Sequence, residues 1–286
     1  MMNPEELKND ALIQLMKKNG FSDDFIQMHF NLLKRVAVSR ALCKDCKGLY
    51  MCSQPSKGQR LILNRVPVPI EEIEYCDFAL VENRKKELMN SYVYCDIPYD
   101  LMGIDLETVS YTDEQEQLYL RLAAILHQKV SKGLYICGDL GVGKTYLCTA
   151  LANSLVKKKE RVAFVKVTDF FNRMRSFFNT DSQQIDKNIS LLKKADYLFL
   201  DDIGSEAVSE FVRDDILFRI LDYRLDHSLT TIFTSNLTKE ELLKHYQYDR
   251  KEKSNLMNAK RLLERIDILT DDYVLSGKNM RRKQQC

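Results

Sequence analysis

Gly138-Asp139-Leu140-Gly141-Val142-Gly143-Lys144-Thr145 sets glycines, a lysine and a hydroxyl at the spacing G-x-x-x-x-G-K-T. Glycines remove the side chains that would block an approach, so successive main-chain N–H groups can converge on one anion. A polyphosphate fits such a loop. Lys144 would then neutralise the β- and γ-phosphates, and the Thr145 hydroxyl would ligate Mg2+. Glycine usage agrees: the chain has ten, and Gly133, Gly138, Gly141 and Gly143 crowd into one short stretch. Further on, the apolar run Tyr197-Leu198-Phe199-Leu200 ends in Asp201-Asp202. Asp201 suits a magnesium ion held through water, and Asp202 suits orienting or deprotonating an attacking water. A later apolar run ends in Thr234-Ser235-Asn236. An amide there can touch both a γ-phosphate and that water, which makes Asn236 a candidate sensor. The ligand these groups fit is a nucleotide polyphosphate with Mg2+.

These residues need elements to hold them. The pattern predicts helix over 113–130, strand over Leu134–Cys137, helix over 144–158 and strand over Ala163–Val167. It continues with helix over Asp169–Phe178, strand over Tyr197–Leu200, helix over 209–225 and strand over Thr231–Thr234. Short apolar strands alternating with helices give an α/β fold with a parallel sheet covered on both faces. The phosphate loop then joins the first strand to its helix. The acids emerge at the carboxyl edge of the sheet, where α/β folds bind ligands.

The front of the chain reads differently. Asn3-Pro4-Glu5-Glu6 opens a helix that Gly20 stops, and Ser22-Asp23-Asp24 caps a second, with Phe25, Met28, Leu32 and Val36 on one face. Residues 41–80 look irregular, and a charged helix over Glu82–Leu88 leads to a boundary near Ile97-Pro98. The expected division is a helical, zinc-binding domain over 1–96 and an ATPase domain over 97–286. Cys43-x-x-Cys46, Cys52 and Cys76 supply four thiolates, enough for a tetrahedral Zn2+ site, with Cys95 a replacement for Cys52 or Cys76. Cys137 and Cys148 read as small core residues, and His29, His127, His227 and His245 belong to no cluster.

Composition sets the outer limits. A chain of 286 residues, 45% of them hydrophobic, can bury the cores of about two domains. Lys and Arg number 43 against 41 Asp and Glu, so the charge of +2 gives no whole-chain field toward nucleic acid or membrane. No run approaches the ~18 apolar residues of a membrane helix, and the opening residues lack a basic, apolar export signal. The cytoplasm is the expected compartment, and a reducing one favours zinc over disulfides.

GDLGVGKT, FLDDIGSE and TSN together resemble the AAA+ ATPases, and within them the bacterial replicative helicase loaders of the DnaC/DnaI type. Ile97-Pro98-Tyr99-Asp100-Leu101 resembles the entry to that ATPase domain, and Ile220-Leu221-Asp222-Tyr223-Arg224 the helix before the sensor strand. Arg261-Leu262-Leu263-Glu264-Arg265-Ile266 resembles the segment carrying the arginine finger, with Arg265 at the finger position and Arg261 beside it. The resemblance implies an assembly-dependent ATPase that self-associates in the ATP state, binds a replicative DNA helicase through its N-terminal domain and delivers it onto single-stranded DNA. DNA contact is expected from the helix bearing Phe170, Phe171, Arg173, Arg175, Phe177 and Phe178. The resemblance to the DnaI family implies an N-terminal domain that carries zinc with a histidine among its ligands; residues 47–95 here contain none.

The chain also departs from the pattern. Asp202 stands where most AAA+ proteins have glutamate, and its shorter arm predicts slow hydrolysis. The residues after Asn236 are too few for a full helical lid, and Arg281 and Arg282 read as a basic tail or a substitute second sensor. Two other readings share these motifs: a transposase's ATPase partner, and a zinc adaptor that binds nucleotide without turnover.

Overall fold

The computed structural model describes residues 11–18, 21–64, 70–128, 130, 132–178, 180–247 and 255–280. The chain divides into two compact units, Met1–Lys86 and Glu87–Cys286. Arg281 and Arg282 lie outside the described residues, as does the helix start at Asn3-Pro4. Among the described residues, no helix is long and apolar enough to cross a membrane.

In the first unit, α1 (Ala11–Lys18), α2 (Asp23–Met28) and α3 (Phe30–Cys43) bury Ile13, Met16, Ile26, Leu33, Val36 and Ala37 in one core. Ser22 caps α2 by accepting the Phe25 N–H at 3.2 Å. The single helix expected from this cap is broken at His29, whose φ of -99° and ψ of 14° are not helical. The break shifts the buried face: Ile26 and Leu33 go inside, and Met28 is 80% exposed. The stretch expected to be irregular contains a hairpin. β1 (Gln59–Asn64) pairs antiparallel with β2 (Ile70–Tyr75), placing Leu61 opposite Ile73. Leu61 and Leu63 pack on the helical core, while Ile70, Ile73 and Tyr75 stay exposed. The helix α4 (Asp77–Asn90) follows.

The second unit is the expected α/β architecture. Six strands, β3 (Tyr94–Cys95), β4 (Gly133–Cys137), β5 (Val162–Lys166), β6 (Tyr197–Ile203), β7 (Thr230–Ser235) and β8 (Thr270–Val274), form a parallel sheet in the order β3-β5-β6-β7-β4-β8. This unit begins ahead of Ile97 because Tyr94 and Cys95 pair with Ala163 and Phe164 of β5. Strand alternation divides the apolar side chains between two faces. Leu134, Ile136, Val162, Phe164, Tyr197, Phe199 and Ile232 pack under α5 (Glu116–Gln128) and α6 (Lys144–Lys157). Tyr135, Ala163, Val165, Leu198, Leu200 and Phe233 pack under the helices of the other face. Those are α7 (Val167–Phe177), α8 (Ser182–Lys194), α9 (Arg219–Asp226), α10 (Lys239–Gln247) and α11 (Leu256–Leu269).

Part of the helix expected over 209–225 is wound wider, as a π-helix over Phe211–Phe218 that runs into α9. Arg224 of α9 is completely buried and binds the end of α8 to the start of β7. Its guanidinium donates to the carbonyls of Leu192, Ala195 and Thr230 at 3.0, 2.7 and 2.6 Å, and to Thr231 Oγ1 at 2.9 Å. Burial pushes its pKa down to about 9, so it is still a cation at neutral pH.

Candidate functional site

The phosphate loop lies between β4 and α6, with Gly143 as the helix N-cap in a left-handed conformation at φ 100°. The positive end of the α6 dipole therefore faces the loop. The loop is gripped from outside by residues that the spacing alone does not reveal. Gln115 donates its amide to Val142 O at 2.7 Å and accepts the Thr112 N–H at 3.0 Å. Met280 N donates to Gly141 O at 3.0 Å. These contacts leave no room for a side chain at either glycine: a Cβ at Gly141 would sit 2.2 Å from Asn279 Oδ1, and one at Gly143 2.2 Å from Gln115 Nε2. Thr112-x-x-Gln115 is a capping-box signature and could have been read from sequence. Asn279 and Met280 gave no such signal.

Lys144 is buried, and its ammonium donates to Gly138 O at 2.6 Å, Asp139 O at 2.8 Å and Asn236 Oδ1 at 2.9 Å. Burial pushes its pKa down, and the carboxylates of Asp202 and Asp201 oppose that. The Thr145 hydroxyl donates to Asp201 Oδ1 at 2.8 Å, and Thr234 Oγ1 donates to the same oxygen at 2.6 Å. Burial raises the Asp201 pKa against these two hydroxyl bonds.

Two consecutive residues on a strand normally face opposite sides of the sheet. Here a bulge removes that constraint. Leu200 pairs with Phe233 but Ile203 with Ser235, so β6 has one residue more than β7 across Asp201–Asp202. Asp202 takes φ 61°, a left-handed conformation costing about 1 kcal/mol outside glycine. Thr234 holds the kink by accepting the Asp202 N–H at 2.9 Å. Both carboxylates thereby serve one site: Asp201 meets Thr145, and Asp202 Oδ1 accepts the Asn236 amide at 2.9 Å. Asn236 thus bridges Lys144 and Asp202. The structure brings the three motifs read from sequence into one hydrogen-bonded cluster, in which Thr234 of the third motif bonds to both acids.

The family of IstB-like ATP binding proteins matches residues 86–286. The chain belongs to that family. The replicative helicase loader DnaI of Bacillus subtilis (strain 168) is 28% identical over 296 residues, covering 98% of this chain and 92% of that protein. The loader DnaC of Escherichia coli (strain K12) is 27% identical over 107 residues, 37% of this chain and 43% of that protein. A crystal structure of DnaI aligns with a TM-score of 0.55 and 31% identity, covering 65% of this chain and 97% of that chain. The resemblance to helicase loaders read from the motifs therefore holds.

Other expected residues of this IstB-like chain sit less freely than their motifs suggest. Arg265, on α11, donates to Asp222 Oδ1 at 3.2 Å, Glu264 Oε2 at 3.0 Å and Arg261 O at 3.2 Å. Its guanidinium and that of Arg261 each lie 4.7 Å from the Phe218 ring. On α7, Phe170 and Phe171 are core residues, Arg173 is paired with Asp96 at 2.7 Å, and Arg175 donates to Ala207 O. Phe178, just past the end of α7, is 58% exposed. The sheet takes the face of α7 that carries Phe170 and Phe171, which removes both from the expected DNA surface.

The four thiols of the expected zinc set are partly buried in the first unit. Three of them have a local partner: Cys43 Sγ accepts from Gln54 Nε2 at 3.1 Å, Cys46 Sγ donates to Gly48 O at 3.6 Å, and Cys52 Sγ accepts the Gly58 N–H at 3.4 Å. The Cys76 N–H donates to Gly58 O at 2.8 Å. Main-chain hydrogen bonds from Gly58 and Gln54 lower the Cys52 pKa, favouring a thiolate. The donor chemistry suits zinc. The geometry does not gather it, since no three Cys, His, Asp or Glu side chains converge as metal ligands among the described residues. Cys95 belongs to β3 in the other unit, where burial raises its pKa to about 11. Cys137 and Cys148 are buried core residues, as expected.

Proposed function

We propose that this chain is an ATP-dependent loader that binds a replicative DNA helicase and delivers it onto single-stranded DNA. The observation that carries this reading is the extent of the DnaI similarity, 98% of the chain with the first unit included. The ATP-binding family accounts for residues 86–286 alone, and a transposase's ATPase partner would need no more than that. The first unit also has a surface suited to a protein partner. Val38, Leu42, Ile70, Ile73 and Tyr75 are exposed, and a cavity of about 400 Å³ is lined by Lys34, Val38, Leu42, Pro55, Leu61 and Ile73. Apolar exposure of this kind marks interaction faces.

In the second unit, Thr145 and Asp201 would hold Mg2+, which would supply charge neutralisation to the phosphates. The loop N–H groups of residues 138–145 and Lys144 bind the phosphates. Asp202 orients or deprotonates the attacking water, and Asn236 reports the γ-phosphate to it. Arg265, with Arg261 beside it, leaves Asp222 to reach the γ-phosphate on a neighbouring subunit, so self-association governs turnover. Phe178 is the aromatic of its segment left for stacking on single-stranded DNA.

Zinc on Cys43, Cys46, Cys52 and Cys76 is supported by their spacing and by the thiolate-favouring contacts of Cys52. Metal analysis is expected to give about one zinc per chain, lost in Cys43→Ser, as for a closed structural site; a metal-free wild-type chain refutes it. The loader reading is tested by gel filtration of the full chain with a replicative helicase. Co-elution is expected, together with its loss in Leu42→Asp/Ile73→Asp while ATP binding persists. No co-elution in any nucleotide state contradicts it.

A further inference from the structure

Glu206 follows the catalytic acids in the loop leaving β6, is 2% exposed, and has no part in the chemistry above. A buried carboxylate is costly unless its oxygens are satisfied. Both are: Oε2 accepts the Gly204 N–H at 2.8 Å, and Oε1 accepts the Tyr246 hydroxyl. Tyr246, on α10, is completely buried, and burial beside the Glu206 carboxylate raises its pKa, so the phenol remains a donor. The Glu206 carbonyl also lies 3.1 Å from His245 Nε2.

What this carboxylate fixes is the turn after the bulge. Asp202 and Gly204 both have positive φ, 61° and 92°. A Cβ at Gly204 would lie 2.9 Å from Leu242 of α10, so the turn sits tightly on that helix. The contacts continue. Tyr246 O accepts Arg213 Nη1 at 3.1 Å; Arg213, fully buried in the π-helix, chelates Asp214 at 2.9 and 2.7 Å. Asp214 Oδ2 accepts the Asn258 amide of α11 at 3.1 Å. α11 carries Arg261 and Arg265, and both stand over Phe218, the last residue of the π-helix. Wide helical turns of this kind are rare and frequent at functional sites.

We propose that Glu206 and Tyr246 are positioning residues for hydrolysis: they hold the strained turn so that the Asp202 carboxylate keeps its place, and through Arg213 and Asp214 they tie that turn to the helix bearing Arg261 and Arg265. This rests on the reading of Asp202 as the water-orienting acid. A merely structural role would give lower stability and unchanged turnover below the unfolding transition. A positioning role gives a different signature.

The test uses the full-length chain with three changes: Glu206→Gln, Tyr246→Phe, and Asp202→Asn alone and combined with Tyr246→Phe. Tyr246→Phe removes one hydroxyl and keeps the buried ring, so it is informative even where Glu206→Gln fails to fold. Thermal denaturation fixes an assay temperature at which every variant is folded. Glu206→Gln and Tyr246→Phe are expected to bind Mg·ATP within about threefold of wild type, with KM unchanged and kcat reduced about tenfold or more. The double variant is expected to match Asp202→Asn alone, because the hydroxyl acts through that carboxylate. If Asp202→Asn abolishes turnover but Tyr246→Phe and Glu206→Gln leave kcat within about twofold, this inference is wrong and the ATPase reading stands. An additive double variant also overturns it. If Asp202→Asn leaves turnover unchanged, the reading of Asp202 fails, and this inference with it.

Discussion

Lys144→Ala is expected to remove nucleotide binding and turnover together while the chain stays folded. The Lys144 ammonium is bonded to the loop itself, through Gly138 O and Asp139 O, and it also holds Asn236. Alanine therefore deletes the charge that opposes the β- and γ-phosphates and also frees the amide that bonds to Asp202. Charge-assisted hydrogen bonds to phosphate contribute about 1.5–3 kcal/mol each, so affinity should fall at least about a hundredfold. Hydrolysis should reach background. Circular dichroism should match wild type, because removing Lys144 leaves the sheet and its two apolar layers untouched. Retained affinity in Lys144→Ala would place the phosphates elsewhere.

Arg224→Met should produce the largest loss of stability. The methionine has similar length but cannot donate, so the carbonyls of Leu192, Ala195 and Thr230 lose their buried partner at the junction of α8 and β7. Orphaning several buried acceptors at once costs about 3–5 kcal/mol. For a unit of this size that corresponds to a fall in Tm of roughly 10 °C. β7 carries Thr234 and leads directly into Asn236, so heating should abolish ATP binding in the same transition. A melting curve that coincides with wild type would show that the guanidinium contacts contribute nothing.

The site was legible in sequence because phosphate binding constrains the backbone: glycines at fixed spacing and a lysine allow few other readings. The α/β alternation was legible for a related reason, since strands buried on both faces must be apolar. Other features left weaker traces. Asp201-Asp202 looks like any acidic pair; only the unequal register of β6 and β7 shows that both can face one site. β8 carries Thr270, Asp271, Asp272, Tyr273 and Val274, and becomes a strand through pairing with β4 rather than by its own pattern. α8 buries Ile185, Ile189 and Leu192 within a polar run, a stripe that was present but sparse. In α2 and α3 the apolar spacing suited one continuous helix, and the break at His29 moved the buried face to neighbouring residues.

The same distinction separates the two units. Residues 87–286 announce their chemistry, because a triphosphate needs main-chain donors, a cation and acids in one place. The first unit announces only that it has exposed apolar side chains around a small helical core. Its reading as the helicase-contacting part rests on similarity to DnaI through that region. Its cysteines illustrate the limit: their spacing suits a tetrahedral site, yet the thiols of Cys43, Cys46 and Cys52 each have a separate neighbour.

Isothermal titration of the full chain with ATP in the presence of Mg2+ measures whether the loop over Gly138–Thr145 holds a triphosphate. The arrangement of Gly138–Thr145 opposite Asp201 and Asp202 predicts one bound nucleotide per chain at micromolar concentration, about -8 kcal/mol. Without Mg2+ the affinity should weaken. A flat titration at millimolar ATP and Mg2+ would show that this loop holds no triphosphate.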